Sequence, residues 1–314
     1  MNEKPMNEKS MKDKSKKKGL DGATDATIDD TTELNRYLYD LQGYLVIEGV
    51  LSSAEVAELS AGIDAHAPAV PADWQTMSKE EKLRMYNIYR FGMAGGSYES
   101  SPGFLAWGAA FVKLMDHPIV LDIMRMQLGD CFRLDRIFGM RMQKGMPSGR
   151  LHSDYGVSEP FSRAEHGKHH PQPAHQALHG FGVAVFNLTD SGPETGGLRV
   201  IPGSHNSHIR LPNSIRHDKF TDVVVCPHAP AGSVTLFSEA TTHGTQAWTA
   251  DHERRSLLYK YCASQLTWSR TRVTGPEGVS LTKRQQMLLA EPAGAHWFFE
   301  SLFADSDERA SSSS

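Results

Sequence analysis

The sequence predicts a mainly β protein, an all-β barrel or sandwich with N-terminal helices packed around it. Three observations carry this expectation. From Cys131 onward the chain breaks into short β-prone runs separated by Gly and Pro: FRLDRIFGMRMQ, GRLHSDYG, FGVAVFNLTD, GGLRVIPGS, DVVVCPHAPAGSVTLFSEA and RRSLLYKYCAS. Before Cys131 the pattern is mostly helical. Strands and helices do not alternate, and no phosphate-binding glycine loop is present, which counts against a Rossmann domain.

Taken in order, residues 1–30 read as a disordered lysine-rich tail in which MNEK occurs twice and large apolar side chains are nearly absent. A single domain is expected over 31–303: a helical part at 31–130, a β core at 131–265 and a C-terminal extension at 266–303. Residues 304–314 form a second polar tail. Within the helical part, TTELNRYLYDLQ reads as a helix, and Tyr44–Ile47 after Gly43 as a strand. Ser52 or Ser53 can cap the next helix, with Glu55 in its first turn. Further helical pattern covers 78–90 and 103–128; Pro118 suits a helix start and Gly129 a helix stop.

Bulk properties narrow the function classes. With 314 residues, 39% hydrophobic and 22% charged, the chain suits a soluble globular protein with a substantial core. A net charge of −4 provides no general basic field for nucleic acid. No stretch approaches the roughly 18 apolar residues of a membrane span. The basic start lacks the apolar segment of a secretory signal. Cys131, Cys226 and Cys262 are few and widely spaced, which fits a reducing cytoplasm better than a disulfide framework. The expected partner is a small-molecule substrate; the sequence leaves the oligomeric state open.

The chemistry concentrates in two segments. If GRLHSDYG is extended, His152 and Asp154 point to the same face and can serve one metal. SEATTHGTQAW supplies a third donor, His243, at an expected strand end. Two histidines and a carboxylate leave about three coordination positions open, which suits non-haem Fe(II) binding a cosubstrate and O₂ together. The bland alternative for His152 and Asp154 is a hydrogen-bonded surface pair. A 2-oxoglutarate cosubstrate would also need a cation for its distal carboxylate, best a bidentate arginine. Arg254 lies 11 positions after His243, and neighbouring Arg255 must point to the opposite strand face. An arginine here could instead form a surface salt bridge with Glu253.

The combination of GYLVIEGVLSSAEVAEL, LHSDYG, GGLRVIPGSH, AGSVTLFSEATTHGT and the following arginine resembles the phytanoyl-CoA dioxygenase family of Fe(II)/2-oxoglutarate oxygenases, from about Leu41 to Ala263. The resemblance implies a double-stranded β-helix, a jelly-roll or cupin-like barrel. It implies a dioxygenase that oxidises a C–H bond of a small molecule, with succinate and CO₂ as coproducts. It assigns Fe(II) to His152, Asp154 and His243, and the 2-oxoglutarate salt bridge to Arg254. Thr245 matches a hydroxyl that contacts the same carboxylate, and Met142 lies where the family places a further cosubstrate contact.

Other features have competing readings. SRAEHGKHHPQPAHQALHG carries five histidines, and residues 155–180 are expected to form a mobile cover over the iron, against the alternative of a solvated loop. His205 in PGSH reads as structural. Asn187-Leu188-Thr189 matches a glycosylation acceptor but lies in an apolar β run. Trp107, Tyr86, Tyr89 and Arg90 suit either a substrate pocket or core and rim. Two other functions compete with an oxygenase: a zinc-type hydrolase or isomerase with the same ligands, and a non-catalytic binding barrel.

Overall fold

The computed structural model describes residues 30–71, 73–78, 81, 89–96, 99–154, 180–207, 209, 211–292 and 299–304. Nearly all of both tails, most of the helical stretch expected at 78–90, Tyr86, and the histidine-rich segment 155–179 lie outside these residues.

Most of the described helices lie before the long strand that opens at Phe132, and two of them begin where capping or proline signals place them. Helix α1 (Asp30–Gln42) ends at Gly43, whose φ of +75° suits a residue without a side chain. A Cβ at Gly43 would also collide with His205 and Thr241, so the turn is fixed from both sides. Strand β1 (Tyr44–Ile47) follows directly. Helix α2 (Ser53–His66) opens with a reciprocal capping box between Ser52 and Glu55. Strand β2 (Arg90–Ala94) and a 3-10 turn (Gly103–Trp107) lead into α3 (Ala109–Leu114). Helix α4 (Pro118–Leu128) has Pro in its first turn and ends at Gly129, with φ +80°.

The β part consists of β3 (Phe132–Met142), β4 (Phe181–Asn187), β5 (Gly197–Val200), β6 (Val234–Ser238), β7 (His243–Gln246) and β8 (Arg254–Ala263). A short helix α5 (Lys283–Leu288) follows. Six strands form one sheet in the order β1-β6-β4-β8-β3-β2, and β5 pairs with β7 in a second sheet. Every strand pairing is antiparallel.

The faces of the large sheet differ in kind. Leu257, Tyr259 and Tyr261 of β8 pack in a core with Leu59 and Ile63 of α2, Phe111 of α3, and Val120 and Met124 of α4. The Tyr259 and Tyr261 hydroxyls donate to the carbonyls of Phe111 and Met115 at 2.6 and 2.9 Å, so their burial leaves no unmet donor. Each such aromatic side chain contributes about 1.5–3 kcal/mol through burial. On the opposite face, Leu258 joins Phe138, Val183, Val185 and Phe237.

A bulge in β3 sets which residues reach that inner face. Leu134 pairs with Tyr261, but Arg136 pairs with Lys260, leaving Asp135 as an extra residue. The bulge shifts the alternation by one. Phe132 and Leu134 face the helices, yet so does Ile137, which leaves Phe138, Met140 and Met142 on the inner side. Met142 therefore stands opposite Arg254.

Two expected strands are shorter in the structure. The described part of GRLHSDYG, Gly149–Asp154, forms no ladder strand; His152 makes a single antiparallel bridge to His243. The segment is instead held largely by side chains and isolated backbone bonds. In the run beginning at Asp222, only Val234–Ser238 is a strand, and Val225 bridges singly to Val200. The prolines at 227 and 230 remove donors that a continuous ladder would need. Among the described residues no helix is long and apolar enough to cross a membrane.

Candidate active site

The segment 149–152 is fixed at four points. Gly149 N–H donates to Thr245 O at 2.8 Å, and Arg199 Nη2 donates to Gly149 O at 2.8 Å. Buried Arg216 donates to Leu151 O at 3.3 Å. His152 and His243 close the set with their mutual backbone hydrogen bonds. Leu151 and Ser153 are buried while His152 and Asp154 are half-exposed, the alternation of extended backbone. Thus His152 and Asp154 share a face even without a ladder strand.

His152, Asp154 and His243 form a cluster whose candidate ligand atoms all lie within 4.8 Å of one another. His152 Nε2 is 3.5 Å from Asp154 Oδ1, and the two imidazole centroids are 4.5 Å apart. Both rings are oriented the same way. His152 Nδ1 is 2.8 Å from Arg150 O, and His243 Nδ1 is 2.8 Å from Thr241 O. A carbonyl only accepts, so each Nδ1 carries the hydrogen and each Nε2 keeps its lone pair for a metal. Burial, reinforced by the facing His152, lowers His243 to about 3 and keeps it neutral. Burial opposes ionisation of Asp154, but neighbouring Lys260, with the two imidazoles, holds its carboxyl well below the usual range. Two imidazoles with Nε2 turned to the cluster and an ionised carboxylate match the donor set a divalent metal requires.

Arg254 lies away from solvent, 3% exposed, at the start of β8. Its Nη1 is 3.5 Å from Met142 Sδ, and its Nε is buried without a hydrogen-bond partner among the described residues. Burial pushes its guanidinium down to about 10, so it remains cationic at neutral pH. Arg255 points the other way and pairs with Asp64 and Glu253, the latter at 2.8 Å. The salt bridge to Glu253 therefore belongs to Arg255. Thr245 lies two residues beyond His243 on β7, half-buried, opposite Leu198.

Two charged residues that the sequence reading passed over also belong to this region. Lys260 Nζ is 2.8 Å from Asp154 Oδ2 and forms an ion pair with Glu239. Glu239 Oε2 lies 4.0 Å from His243 Nε2. Burial pushes Glu239 up to about 7 against the pull of Lys260. The inward-facing parity of Lys260 on β8 was the available signal, since a cation on an apolar sheet face needs a buried partner.

The other described candidates make contacts within the fold. His205 is buried and 2.9 Å from Asp40 O. Asn187 is buried and donates to Ser233 Oγ and Thr235 Oγ1, which places it out of reach of a glycan. Trp107 stacks on Phe91 and His66 within the helical core. Tyr89 packs beside Trp74, Met142, Met146 and Trp248, and the Arg90 guanidinium lies 4.6 Å from the Phe138 ring centre.

An antiparallel β protein with a His-Asp-His cluster able to hold a metal, and a buried arginine that pairs with no carboxylate among the described residues, is the class these features define. The phytanoyl-CoA dioxygenase (PhyH) family model matches residues 39–256, and the chain belongs to that family. Solved structures share the fold at low identity. HygX from Streptomyces hygroscopicus, with nickel and 2-oxoglutarate bound, is 19% identical over 74% of this chain and 88% of its own, with a TM-score of 0.53. EctD from S. alaskensis, with 2-oxoglutarate and 5-hydroxyectoine, is 20% identical over 90% and 91%, TM-score 0.52. The non-heme alpha ketoglutarate dependent carbocyclase SnoK from nogalamycin biosynthesis is 18% identical over 85% and 94%, TM-score 0.51. No curated protein matches the chain.

Proposed function

We propose that the protein is an Fe(II)- and 2-oxoglutarate-dependent dioxygenase that hydroxylates an unactivated C–H bond of a small molecule. In the balanced reaction one O₂, one 2-oxoglutarate and the substrate give succinate, CO₂ and the hydroxylated product. The observation that carries this reading is the pairing of the His152–Asp154–His243 cluster with Arg254. A hydrolytic zinc site has no use for a buried cation whose close side-chain acceptor among the described residues is a thioether, and a binding barrel has no use for the cluster. The large sheet and the β5–β7 pair are read as the two sheets of a double-stranded β-helix, consistent with the family.

Bound Fe(II) would supply O₂ and redox chemistry, with 2-oxoglutarate as the co-oxidised partner. The protein's residues orient and bind. His152 and His243 present Nε2 because Arg150 O and Thr241 O hold their Nδ1 hydrogens. Arg254 anchors the distal carboxylate of 2-oxoglutarate, Thr245 adds a hydroxyl contact, and Met142 shapes the apolar wall beside the guanidinium. Two fold relatives were crystallised with small-molecule ligands, hygromycin B for HygX and 5-hydroxyectoine for EctD, which supports a small-molecule substrate. Three free cysteines fit a cytoplasmic setting.

The test is succinate formation. Protein loaded with Fe(II) and supplied with 2-oxoglutarate and O₂ is incubated with pools of amino acids, acyl thioesters and secondary metabolites. One pool is expected to raise succinate release and gain an oxygen atom by mass spectrometry. Metal-dependent hydrolysis with zinc, without 2-oxoglutarate consumption, would overturn the reading.

A further inference from the structure

The metal ligand Asp154 has two carboxylate oxygens in different situations. Oδ1 faces His152 Nε2 at 3.5 Å, on the cluster side. Oδ2 accepts from Lys260 Nζ at 2.8 Å. Lys260 is itself fixed: it stands opposite Val183 of β4 and Arg136 of β3, and Glu239, 3% exposed, pairs with it from the end of β6. Burying such an ion pair costs desolvation energy that a well-packed apolar pair would not, so it contributes little as a stabiliser. Its placement against one oxygen of a metal ligand gives it another use.

We propose that Lys260, anchored by Glu239, is a positioning residue that claims Asp154 Oδ2 and presents Oδ1 alone to the metal. This rests on the metal assignment above. One-oxygen binding by Asp154 keeps the coordination position a second carboxylate oxygen would occupy open for cosubstrate and O₂. A small cavity lined by Asp135, Asp154, Phe181, Glu239, Lys260 and Trp268 borders the carboxylate. Without Lys260, Asp154 is free to chelate through both oxygens or rotate off the metal.

Co(II) is the probe, since its visible absorption reports coordination number and geometry. The metal-free protein is titrated by calorimetry and absorption as wild type, Lys260→Met, Lys260→Arg, Glu239→Gln/Lys260→Met and His152→Ala. Lys260→Met is expected to weaken Co(II) binding by about 10- to 100-fold, typical of losing an outer partner of a ligand, and to change the spectrum. Lys260→Arg, which keeps a charged donor, recovers much of both. The double variant removes both buried charges, so it folds even where Lys260→Met does not, and it shows the same altered spectrum. Wild-type affinity and spectrum in Lys260→Met, or in the double variant where the single one fails to fold, with binding lost in His152→Ala, overturn the positioning role alone. Unchanged binding in His152→Ala overturns the metal assignment and this proposal with it.

Discussion

His152 and His243 exchange two backbone hydrogen bonds, His152 N–H to His243 O at 2.8 Å and His243 N–H to His152 O at 2.7 Å. The two candidate histidine ligands are thus directly opposed residues of one antiparallel bridge, and the backbone sets the distance between their imidazoles. This makes the cluster a property of main-chain register, which side-chain replacement leaves in place. Alanine at His152, Asp154 or His243 is therefore expected to abolish Fe(II) binding and turnover, with the melting temperature within about 4 °C of wild type. Metal content after anaerobic loading, together with thermal melting, checks this. Full activity in any of the three variants would remove that residue from the ligand set.

The neighbouring arginines separate by face. Arg254→Ala is expected to raise the 2-oxoglutarate concentration needed for half-saturation by about 10- to 150-fold, from the roughly 1.5–3 kcal/mol of a charge-assisted contact. Arg255→Ala should leave 2-oxoglutarate binding close to wild type and lower stability instead, because Arg255 ties β8 to Asp64 and the Ser60 carbonyl of α2. A reversed order of effects on 2-oxoglutarate would contradict the inward placement of Arg254.

Much of this site was legible because its signals are local. The two-residue spacing of His152 and Asp154 puts both on one face of any extended segment, and alternation along β8 separates Arg254 from Arg255. The capping box at Ser52 and the stop at Gly129 were legible for the same reason. Lys260 and Glu239 were not, because one lies on β8 and the other just past the end of β6, and they meet only when β8 and β6 flank β4. Nor could the sequence show that 149–152 would rely on Arg199 and Arg216 in place of a ladder, since those contacts come from distant segments. The β3 bulge at Asp135, which brings Met142 round to face Arg254, likewise depends on pairing partners.

Gly244 gives a test of the site's packing. A Cβ there would stand 3.0 Å from Arg150 O and 3.2 Å from Gly149 O, against the segment that carries His152. Gly244→Ala is expected to push that segment outward, at about 1–3 kcal/mol for the overpacking. Fe(II) affinity should fall further than the melting temperature alone would suggest. An unchanged affinity would mean that the segment can give way without moving His152.

His117, at the N-terminus of α4, makes stability depend on pH. Burial, with help from Lys113, lowers its pKa below the ordinary value of 6.5, and its Nδ1 is buried without a hydrogen-bond partner among the described residues. The folded state therefore binds this proton less readily than the unfolded chain. The associated stability is complete above about pH 6.5 and is lost as pH falls toward the folded value. Melting temperatures of wild type and His117→Gln, measured from pH 8 to pH 5, are expected to converge as pH falls. A constant difference across that range would show that His117 protonation does not report on folding.

The most direct test of the central claim is an anaerobic titration of the Fe(II)-loaded protein with 2-oxoglutarate, following the visible charge-transfer absorption of the iron chelate. The wild-type protein is expected to develop a saturable band that requires both Fe(II) and 2-oxoglutarate. His243→Ala should show no band, and Arg254→Ala should need far more 2-oxoglutarate to reach the same intensity. A wild-type protein that binds 2-oxoglutarate equally well with and without Fe(II), and shows no such band, would contradict the account.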